Sequence, residues 1–521
     1  MISSKFLALA LAAGLPLSNA LSIQERANIT QTFQSSFSPG TKIYLASDPN
    51  FANETTQRWT VYEEPTYAAA IIPALASDVQ TIVKIAGRYG IPFLATGGGH
   101  GLSTTLSKIQ NGISIDLSRF KNVTINEAAS TVTVGGANVF SDVFETVWNA
   151  GKEMATGSCA CPGIVGATVG GGVGRLQGLH GLIIDTLVSV VMVTADGSLV
   201  TASETENADL FWGVRGAGPN FGIILWATYK IFDQTNGGYA FNADFIFPAN
   251  ESHNHWQALK EVSKNMPAEL ALISGINYNE AHGGLNILVN AVYYGPEAEG
   301  RALIAPFYNN NPLVSNTSYV HVSQLISVAA FGLFADTQCD KGKHVNTYTV
   351  GATGVDVPTW DAHVQNFTAL YQTYPQARLS TAFVETFPNQ AVLEADGSKT
   401  AVPQKHREIT NYVFVTPSLP SLSPMGNFQL TTRENERKKR LWGYNYADPS
   451  IDTQINQFAS SARTAFTATS GFEDLELYVT YAHGDEGPQT WYREKLGQLE
   501  QLKRKWDPNQ LFGFMNPVPL K

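Results

Sequence analysis

Apolar residues between Ser77 and Gly90 recur with the period of a helix. Their spacing of three and four residues joins Val79, Ile82, Val83 and Ala86 in one stripe. Ser77 or Asp78 is expected to cap this helix, and Gly90 to end it. The apolar run from Ile91 to Ala95 then predicts a strand that leads into a run of glycines. This order is typical of an α/β unit with a ligand loop at the strand end.

Two more patterns predict local structure. The segment 185–203, DTLVSVVMVTADGSLVTAS, contains two strand-like stretches joined by Asp196-Gly197, the usual signal of a β-hairpin. Near the C terminus, the segment around Tyr478 predicts a strand, and an apolar side of Leu496, Leu499 and Leu502 predicts a helix. Glycine is concentrated between residues 97 and 222, and the following part is more aromatic. We therefore predict a ligand-binding domain over 40–232 and a second domain over 233–470.

The composition allows a large folded core. The chain has 521 residues, of which 44% are hydrophobic and 15% charged, as in a globular protein of two or more domains. Its net charge of −10 argues against nucleic acid or an anionic membrane as a partner. The short basic run RKKR at 437–440 is interpreted as a solvated helix face.

The N terminus has the pattern of a secretory signal. One lysine precedes an apolar run from Phe6 to Leu17, and the small residues Ser18 and Ala20 occupy the positions that a signal peptidase reads. We predict a signal peptide over 1–20, too short to be a retained transmembrane helix. Six N-glycosylation sequons follow, at Asn28, Asn53, Asn122, Asn250, Asn316 and Asn366. The protein is therefore expected to be secreted or held in the secretory pathway.

Three cysteines, Cys159, Cys161 and Cys339, are an odd number for an oxidising compartment. A disulfide between Cys159 and Cys161 would close a very tight loop, and Cys339 has no assured partner. At least one thiol therefore needs another explanation.

The glycine run GGGHG at 97–101 encloses a single histidine, His100. The chain has neither a P-loop pattern nor Gly-x-Gly-x-x-Gly, which argues against a nucleoside triphosphatase and an ordinary dinucleotide fold. Successive glycine amides can still bind a pyrophosphate. His100, His180, Cys159 and Cys161 lack the paired spacing of a zinc site, so no metal is predicted.

Three glycine-rich motifs and the C-terminal segment resemble those of a known family. They are RYGIPFLATGGGHGLS at 88–103, ATGSCACPGIVGATVGGGVGRLQGLHGLIIDTLVSVVMVTADG at 155–197, NADLFWGVRGAGPNFGII at 207–224 and QLKRKWDPNQLFGFMNPV at 501–518. The chain resembles the vanillyl-alcohol-oxidase (PCMH-type) flavoproteins, and within them the berberine-bridge-enzyme-like oxidases of fungal secondary metabolism. The resemblance implies an α+β fold with a PCMH-type FAD-binding domain of two α/β subdomains. It also implies a substrate domain with an antiparallel sheet covered by helices, and a berberine-bridge segment, 471–521, that returns to the FAD domain.

The resemblance also assigns cofactor contacts. It implies that FAD is bonded through its 8α-methyl group to His100, and through C6 to the cysteine eleven residues before Gly170, which is Cys159. Attachment at both residues is favoured over attachment at His100 alone. The glycines expected to let the backbone approach the pyrophosphate and the ring are Gly97, Gly98, Gly99, Gly101, Gly170, Gly171 and Gly172. Gly222 and Ile223 are expected beside the adenosine half.

A catalytic group is suggested by the Tyr-x-Asn motif that many members have. Tyr478-Val479-Thr480 matches it, with threonine in place of asparagine. Tyr478 is predicted to accept a proton or to orient the substrate, although a tyrosine with a pKa of about 10 is a poor base unless a neighbour lowers it. A buried structural tyrosine is the alternative. Glu385 is a second candidate base, for which a solvated strand position is the favoured interpretation.

These assignments predict a secreted FAD-dependent oxidase. A small natural-product substrate would pass hydride to flavin N5, and dioxygen would reoxidise the flavin and leave as hydrogen peroxide. The alternatives are an oligosaccharide oxidase and a flavin-dependent cyclase of the Diels–Alder type. A binding protein that has lost its flavin is a further alternative, disfavoured by the intact glycine loops around His100.

Overall fold

The computed structural model describes residues 36–335, 339–416 and 451–520. The predicted signal peptide at 1–20, the sequon at Asn28 and the basic run at 437–440 lie outside these ranges. Within them, no helix has both the length and the apolar character needed to cross a membrane. The fold is α+β, and its described residues form three main sheets.

The first sheet contains the predicted α/β unit. Its strands are β1 (Lys42–Leu45), β2 (Tyr67–Ile72), β3 (Phe93–Thr96) and β4 (Gly112–Asp116). They lie in the order β1-β2-β4-β3, with β4 parallel to both β2 and β3, and β1 antiparallel to β2. The short helix α1 (Phe51–Glu54) follows β1, and helix α2 (Ala76–Tyr89) connects β2 to β3.

The predicted apolar stripe of α2 is confirmed, since all four residues of the stripe are buried. The helix ends at Gly90, as predicted, where φ is 63°. The predicted cap is wrong, because the helix begins at Ala76. Asp78 lies in the first turn, where its carboxylate accepts hydrogen bonds from the backbone N–H groups of Leu75 and Ser38, each at 2.8 Å. Asp78 therefore acts as the third helical residue of a capping box, whose carboxylate binds the backbone amide of the residue that precedes the helix. Strand β3 begins later than predicted because the amide of Ile91 still bonds to the carbonyl of Ala86 (2.9 Å).

The second sheet is antiparallel. The strands of this region are β5 (Val123–Asn126), β6 (Thr131–Gly135), β7 (Lys152–Glu153), β8 (Leu187–Val193), β9 (Leu199–Ser203), β10 (Ile223–Lys230) and β11 (Phe232–Asp233). The sheet has the order β5-β6-β10-β8-β9, and β7 pairs separately with β11. The predicted hairpin is confirmed as β8 and β9, with Gly197 at φ of 75° in its turn.

The third sheet has seven antiparallel strands, as the family resemblance implied for the second domain. They are β12 (Tyr239–Pro248), β13 (Leu270–Asn279), β14 (Gly284–Tyr293), β15 (Val314–His321), β16 (Tyr348–Ala352), β17 (Thr381–Thr386) and β18 (Asn411–Thr416). Their order is β15-β12-β14-β13-β17-β18-β16.

Helices cover one face of the third sheet. The remaining helices of the described ranges are α3 (Phe140–Asn149), α4 (Ile164–Thr168), α5 (Gln177–His180), α6 (Ala208–Ala217), α7 (Ser252–Ser263), α8 (Glu297–Leu303), α9 (Ala305–Tyr308), α10 (Val322–Val328), α11 (Val357–Thr373), α12 (Gln390–Glu394), α13 (Gln404–Arg407), α14 (Asp452–Ala468), α15 (Pro488–Tyr492) and α16 (Leu496–Trp506). Apolar residues of α7, α11 and α14 form a continuous core with one face of the sheet. The opposite face packs against the glycine-rich segment that follows residue 172.

The C-terminal segment corrects one prediction. The residues around Tyr478 form no strand: Glu476 makes an isolated bridge with Gly351, and a 3₁₀ turn covers Val479–Tyr481. The turn forms because the amide of Tyr481 bonds to the carbonyl of Tyr478 (2.8 Å) instead of to a neighbouring strand. The predicted helix is confirmed as α16, which buries Leu496, Leu499 and Leu502 in the core of the second sheet.

Candidate active site

A cavity of about 550 Å³ lies between the third sheet and the glycine-rich loops. One wall consists of residues from 97–101, 157–169 and 218–224. The other consists largely of alternate residues of β13, β17 and β18, because side chains of a strand alternate between the two faces of a sheet. These residues are Ile273, Gly275, Asn277, Thr381, Phe383, Glu385, Phe414 and Thr416. The volume is in the range of cofactor and ligand sites.

Strand β3 ends at Thr96 and brings His100 to the cavity wall. Close backbone contacts fix this loop: a Cβ on Gly97 would lie 2.4 Å from the carbonyl oxygen of Gly136. A Cβ on Gly98 would lie 2.4 Å from the amide nitrogen of the 157–167 loop at Gly163. Glycine is therefore required at both positions before any ligand is considered.

The imidazole of His100 is held between an aromatic ring and positive charges. It stacks on Trp59 with the ring centroids 5.8 Å apart, and its Nε2 has no hydrogen-bond partner among the described residues. The pKa of His100 is lowered to about 4, first by burial and then by the charges of Lys341, Lys343 and Arg58. The ring is therefore neutral at pH 7, and its Nε2 is a buried nitrogen without a partner among the described residues.

The predicted glycines fall into two groups. Five line the cavity together with Ile223: Gly97, Gly98, Gly99, Gly101 and Gly222. The triplet Gly170, Gly171 and Gly172 is not part of the wall and lies behind the C-terminal segment. A Cβ on Gly170 would lie 2.1 Å from Oγ1 of Thr480, and one on Gly171 would lie 3.2 Å from the ring of Tyr478. The triplet therefore leaves room for the C-terminal segment to pack.

The cysteines form one disulfide and one free thiol. Cys161 and Cys339 are bonded, with their Cα atoms 5.3 Å apart, and Cys159 is free in the cavity wall. The disulfide gives Cys339 the partner that sequence spacing did not assign. The pKa of the Cys159 thiol is raised to about 12 by burial and then by the nearby Glu385 carboxylate. His180 lies elsewhere and pairs with Glu153 at 2.7 Å.

The hydroxyl of Tyr478 is occupied by backbone groups. It accepts a hydrogen bond from the N–H of Gly172 at 2.9 Å and donates one to the carbonyl oxygen of Ala167. Burial raises the pKa of Tyr478 well above the ordinary tyrosine value. The side chain lines the cavity, and backbone groups already occupy its hydroxyl group both as donor and as acceptor.

Glu385 and Tyr481 form a buried polar pair in the cavity wall. Tyr481, which the sequence did not single out, donates a hydrogen bond to Oε2 of Glu385 at 3.1 Å. Glu385 is 7% exposed, so its interpretation as a solvated glutamate is wrong. Burial raises the pKa of Glu385 to about 7, against the lowering effects of Tyr481 and of the positive charge of Arg175. A carboxyl group with a pKa near 7 can accept a proton at neutral pH.

Two signals could have pointed to this pair. Strand β17 alternates, so Glu385 lies on the same face as Phe383, which lines the cavity. Tyr481 follows Tyr478 by three residues, and one turn of 3₁₀ helix brings such residues to the same side.

Known proteins share the sequence and the fold of this chain. A family model described as an FAD binding domain matches residues 67–203, and one described as berberine and berberine like matches residues 477–519. The FAD-linked oxidoreductase azaL of Aspergillus niger is 40% identical over 478 residues, which cover 91% of this chain and 95% of that protein. The fold and these matches define an FAD-dependent oxidoreductase.

Solved structures share the whole fold. BBE-like 1 of Physcomitrella patens has a TM-score of 0.78 at 19% identity, over 95% of this chain and 99% of that one. Glucooligosaccharide oxidase from Acremonium strictum, described with a 6-S-cysteinyl, 8α-N1-histidyl FAD, has a TM-score of 0.73 at 19% identity over the same shares. The chain belongs to the berberine-bridge-enzyme-like family of FAD-linked oxidoreductases.

Proposed function

We propose that the protein is a secreted oxidase that removes hydride from a small organic molecule of a natural-product pathway. One observation supports this above the others: His100, Cys159 and the Glu385–Tyr481 pair lie in the wall of one cavity. On its third-sheet side, the apolar residues Ile273, Phe383 and Phe414 face the cavity beside the polar residues Asn277, Thr381 and Thr416. An unsaturated substrate that also carries polar groups suits such a mixed wall.

The residues present fit FAD. A ring nitrogen of His100 and the sulfur of the free Cys159 would supply the two attachment atoms. We propose that each replaces one hydrogen of the flavin, on the 8α-methyl group and on C6, with the proton released and the two electrons of each step passed to dioxygen. The glycines that line the cavity, with Ile223, are proposed to contact the pyrophosphate and the adenosine half. When bound, FAD accepts hydride at N5 and passes two electrons to dioxygen, which leaves as hydrogen peroxide.

Glu385 is proposed as the base. It takes the proton of a substrate O–H or N–H while the adjacent carbon loses hydride, so that a C=O or C=N bond forms. Tyr481 holds this carboxylate, and its own pKa is raised well above the ordinary value, first by burial and then by Glu385, so it remains a donor. Tyr478 keeps the loop at Ala167 and Gly172 in place.

The domain boundaries and the location are part of the proposal. The first two sheets fall within the proposed FAD domain, 40–232, and the third within the proposed substrate domain, 233–470, ahead of the C-terminal segment 471–521. Secretion through a signal peptide at 1–20 is supported by the Cys161–Cys339 disulfide. The five described sequon asparagines are all exposed, as glycosylation requires: Asn53, Asn122, Asn250, Asn316 and Asn366.

An oligosaccharide oxidase is the second candidate, because glucooligosaccharide oxidase shares the fold. Phe383 and Phe414 favour an aromatic substrate, whereas Asn277, Thr381 and Thr416 are the polar groups of the same wall that would bind sugar hydroxyls. A flavin-dependent cyclase is distinguished by its products, because it would form product without an equivalent of hydrogen peroxide.

The mass and visible spectrum of the denatured, desalted protein test the cofactor assignment. We expect flavin to remain attached in wild type and in each of His100→Ala and Cys159→Ala, and to be released completely from the double variant. The reaction is then tested with phenolic and oligosaccharide substrates, by measuring how much hydrogen peroxide forms per molecule of product. A protein with no flavin, bound or released, would contradict the proposal.

A further inference from the structure

A second, smaller cavity lies beside the first. It has a volume of about 50 Å³ and is formed by α3, α10, residues 153–158, the Arg175–Leu176 segment and Tyr294. Gly157 and Ser158 line both cavities, so they form a common wall. We call this space the side cavity. Most of its lining is apolar, which makes its few polar groups informative.

Arg175 is a buried cation in the lining of the side cavity. Arg175 is only 5% exposed. Nη2 donates a hydrogen bond to Oδ1 of Asn290 at 2.6 Å, and the guanidinium carbon lies 5.5 Å from the ring centroid of Phe334. Nη1 is buried and has no acceptor within the described ranges. A buried charged N–H group without an acceptor is strongly unfavourable, so an acceptor placed at Nη1 would stabilise the folded protein.

Ser158 presents a second buried donor. The residue is 9% exposed, and its Oγ has no hydrogen-bond partner in the described part of the chain. Gly174 explains why Ser158 and Arg175 line the same space: a Cβ on Gly174 would lie 1.8 Å from the carbonyl oxygen of Thr156. The segments 156–158 and 174–176 are therefore in direct backbone contact.

The carboxylates near Arg175 already have other partners. Asp244 accepts hydrogen bonds from Asn290 (2.6 Å) and from the amide of Ala330 (2.8 Å), and Glu385 accepts one from Tyr481. Both act on Arg175 only through longer-range electrostatic attraction. Glu153, which lines the side cavity, binds His180 and Thr235, each at 2.7 Å.

We propose that the side cavity binds one small monovalent anion, of the size of a halide or formate, between Nη1 of Arg175 and Oγ of Ser158. Both groups are donors, and a guanidinium N–H makes its strongest hydrogen bonds with anions. The volume accommodates only a few water-sized particles, which limits the ligand to a few heavy atoms. Neither Arg175 nor Ser158 is among the proposed flavin contacts, but Ser158 also lines the larger cavity, so the tests use the holoprotein.

Crystals of the wild-type holoprotein soaked in bromide test the site directly. An anomalous peak is expected within hydrogen-bond distance of both Arg175 and Ser158, and it should be absent from Arg175→Met crystals. A site that holds water and no bromide in the wild type overturns the proposal, whether or not the variant folds.

Thermal unfolding gives the solution test. At constant ionic strength, replacing gluconate by chloride should raise the wild-type midpoint by roughly 2–4 °C when chloride is far above its Kd. The rise should vanish in Arg175→Met, shrink in Ser158→Ala and persist in Arg378→Met, whose arginine lies on the surface against Glu280. Bromide density without any chloride effect in solution would indicate an adventitious ion only, and an equal chloride effect in Arg175→Met would also overturn the assignment.

Discussion

The two faces of the third sheet are built from the same strands and differ in what covers them. On the helix-covered face, Trp256 of α7 and Trp360 of α11 stack with their ring centroids 4.0 Å apart in a core of apolar residues. On the opposite face, Glu385 lies buried in the cavity wall, hydrogen-bonded to Tyr481. Because neighbouring residues of a strand point to opposite faces, each strand encodes both a core and a site. Substitutions on the first face should change stability, and those on the second should change chemistry.

The largest effect is expected from Glu385→Gln. Loss of the base should lower kcat by about 10²–10⁴-fold. Wild-type kcat should rise as pH increases through about 7, because only the carboxylate accepts a proton, and the variant should lack this inflection. Tyr481→Phe is the matched control: it keeps the carboxyl group but removes a hydrogen bond that lowers its pKa, so the inflection should move to higher pH. A full pH profile of peroxide production checks both, and an unchanged inflection in Glu385→Gln rules out this base.

A matched pair of phenylalanines compares the faces directly. Phe367 of α11 is fully buried in the core between the helices and the third sheet, and its replacement by alanine should cost about 3–5 kcal/mol in the free energy of unfolding. Phe383 is half-buried in the cavity wall, stacked on Phe414 at 4.3 Å. Phe383→Ala should cost less than half as much and should raise KM instead. Denaturant unfolding and steady-state kinetics on both variants test this, and equal losses of stability would break the comparison.

Local elements of the first and second sheets were the easier part to predict. The helical period of apolar residues identifies α2 and α16, and an Asp-Gly turn identifies the β8–β9 hairpin. The local sequence pattern was sufficient to predict these elements. The cap of α2 was wrong because Asp78 binds backbone amides from inside the first turn. The predicted strand at Tyr478 was wrong because Val479–Tyr481 form a 3₁₀ turn. The pattern of apolar residues does not distinguish such a turn from a short strand.

The cavity side depends on contacts between residues far apart in the chain. Cys161 finds its partner 178 residues away, and Glu385 is buried only because distant segments enclose β17. Family motifs directed attention to His100, Cys159 and Tyr478, and the structure places all three on one cavity. The motifs did not single out Tyr481 or Arg175, because the Tyr481–Glu385 hydrogen bond and the unpaired Nη1 of Arg175 follow from how the loops pack against the third sheet.

Burial of Glu385 in the cavity wall should also lower the free energy of unfolding, by an amount that depends on pH. The pKa of Glu385 is raised from its ordinary 4.5 to about 7 in the folded protein, so between these values the folded state binds more protons than the unfolded state. Stability therefore falls as pH rises through this window and is lowest above it. Glu385→Gln should be more stable than wild type at pH 8, by up to about 3 kcal/mol, and nearly equal to it at pH 4. Unfolding at both pH values measures this difference, and a variant that is less stable at pH 8 would contradict the buried, shifted carboxyl.

The smallest effect is expected from Tyr478→Phe, and it separates a positioning tyrosine from a base. The substitution leaves the buried N–H of Gly172 without its acceptor, which should cost about 1–3 kcal/mol in the free energy of unfolding. Tyr492→Phe is the matched control, because Tyr492 also donates to a buried carbonyl, that of Asn516, but does not line the cavity. Both variants should lose comparable stability, while only Tyr478→Phe changes kcat, and then by less than Glu385→Gln. If Tyr478→Phe instead abolished turnover together with the inflection near pH 7, the proton would leave through the tyrosine, and Glu385 would be its electrostatic neighbour and not the acceptor.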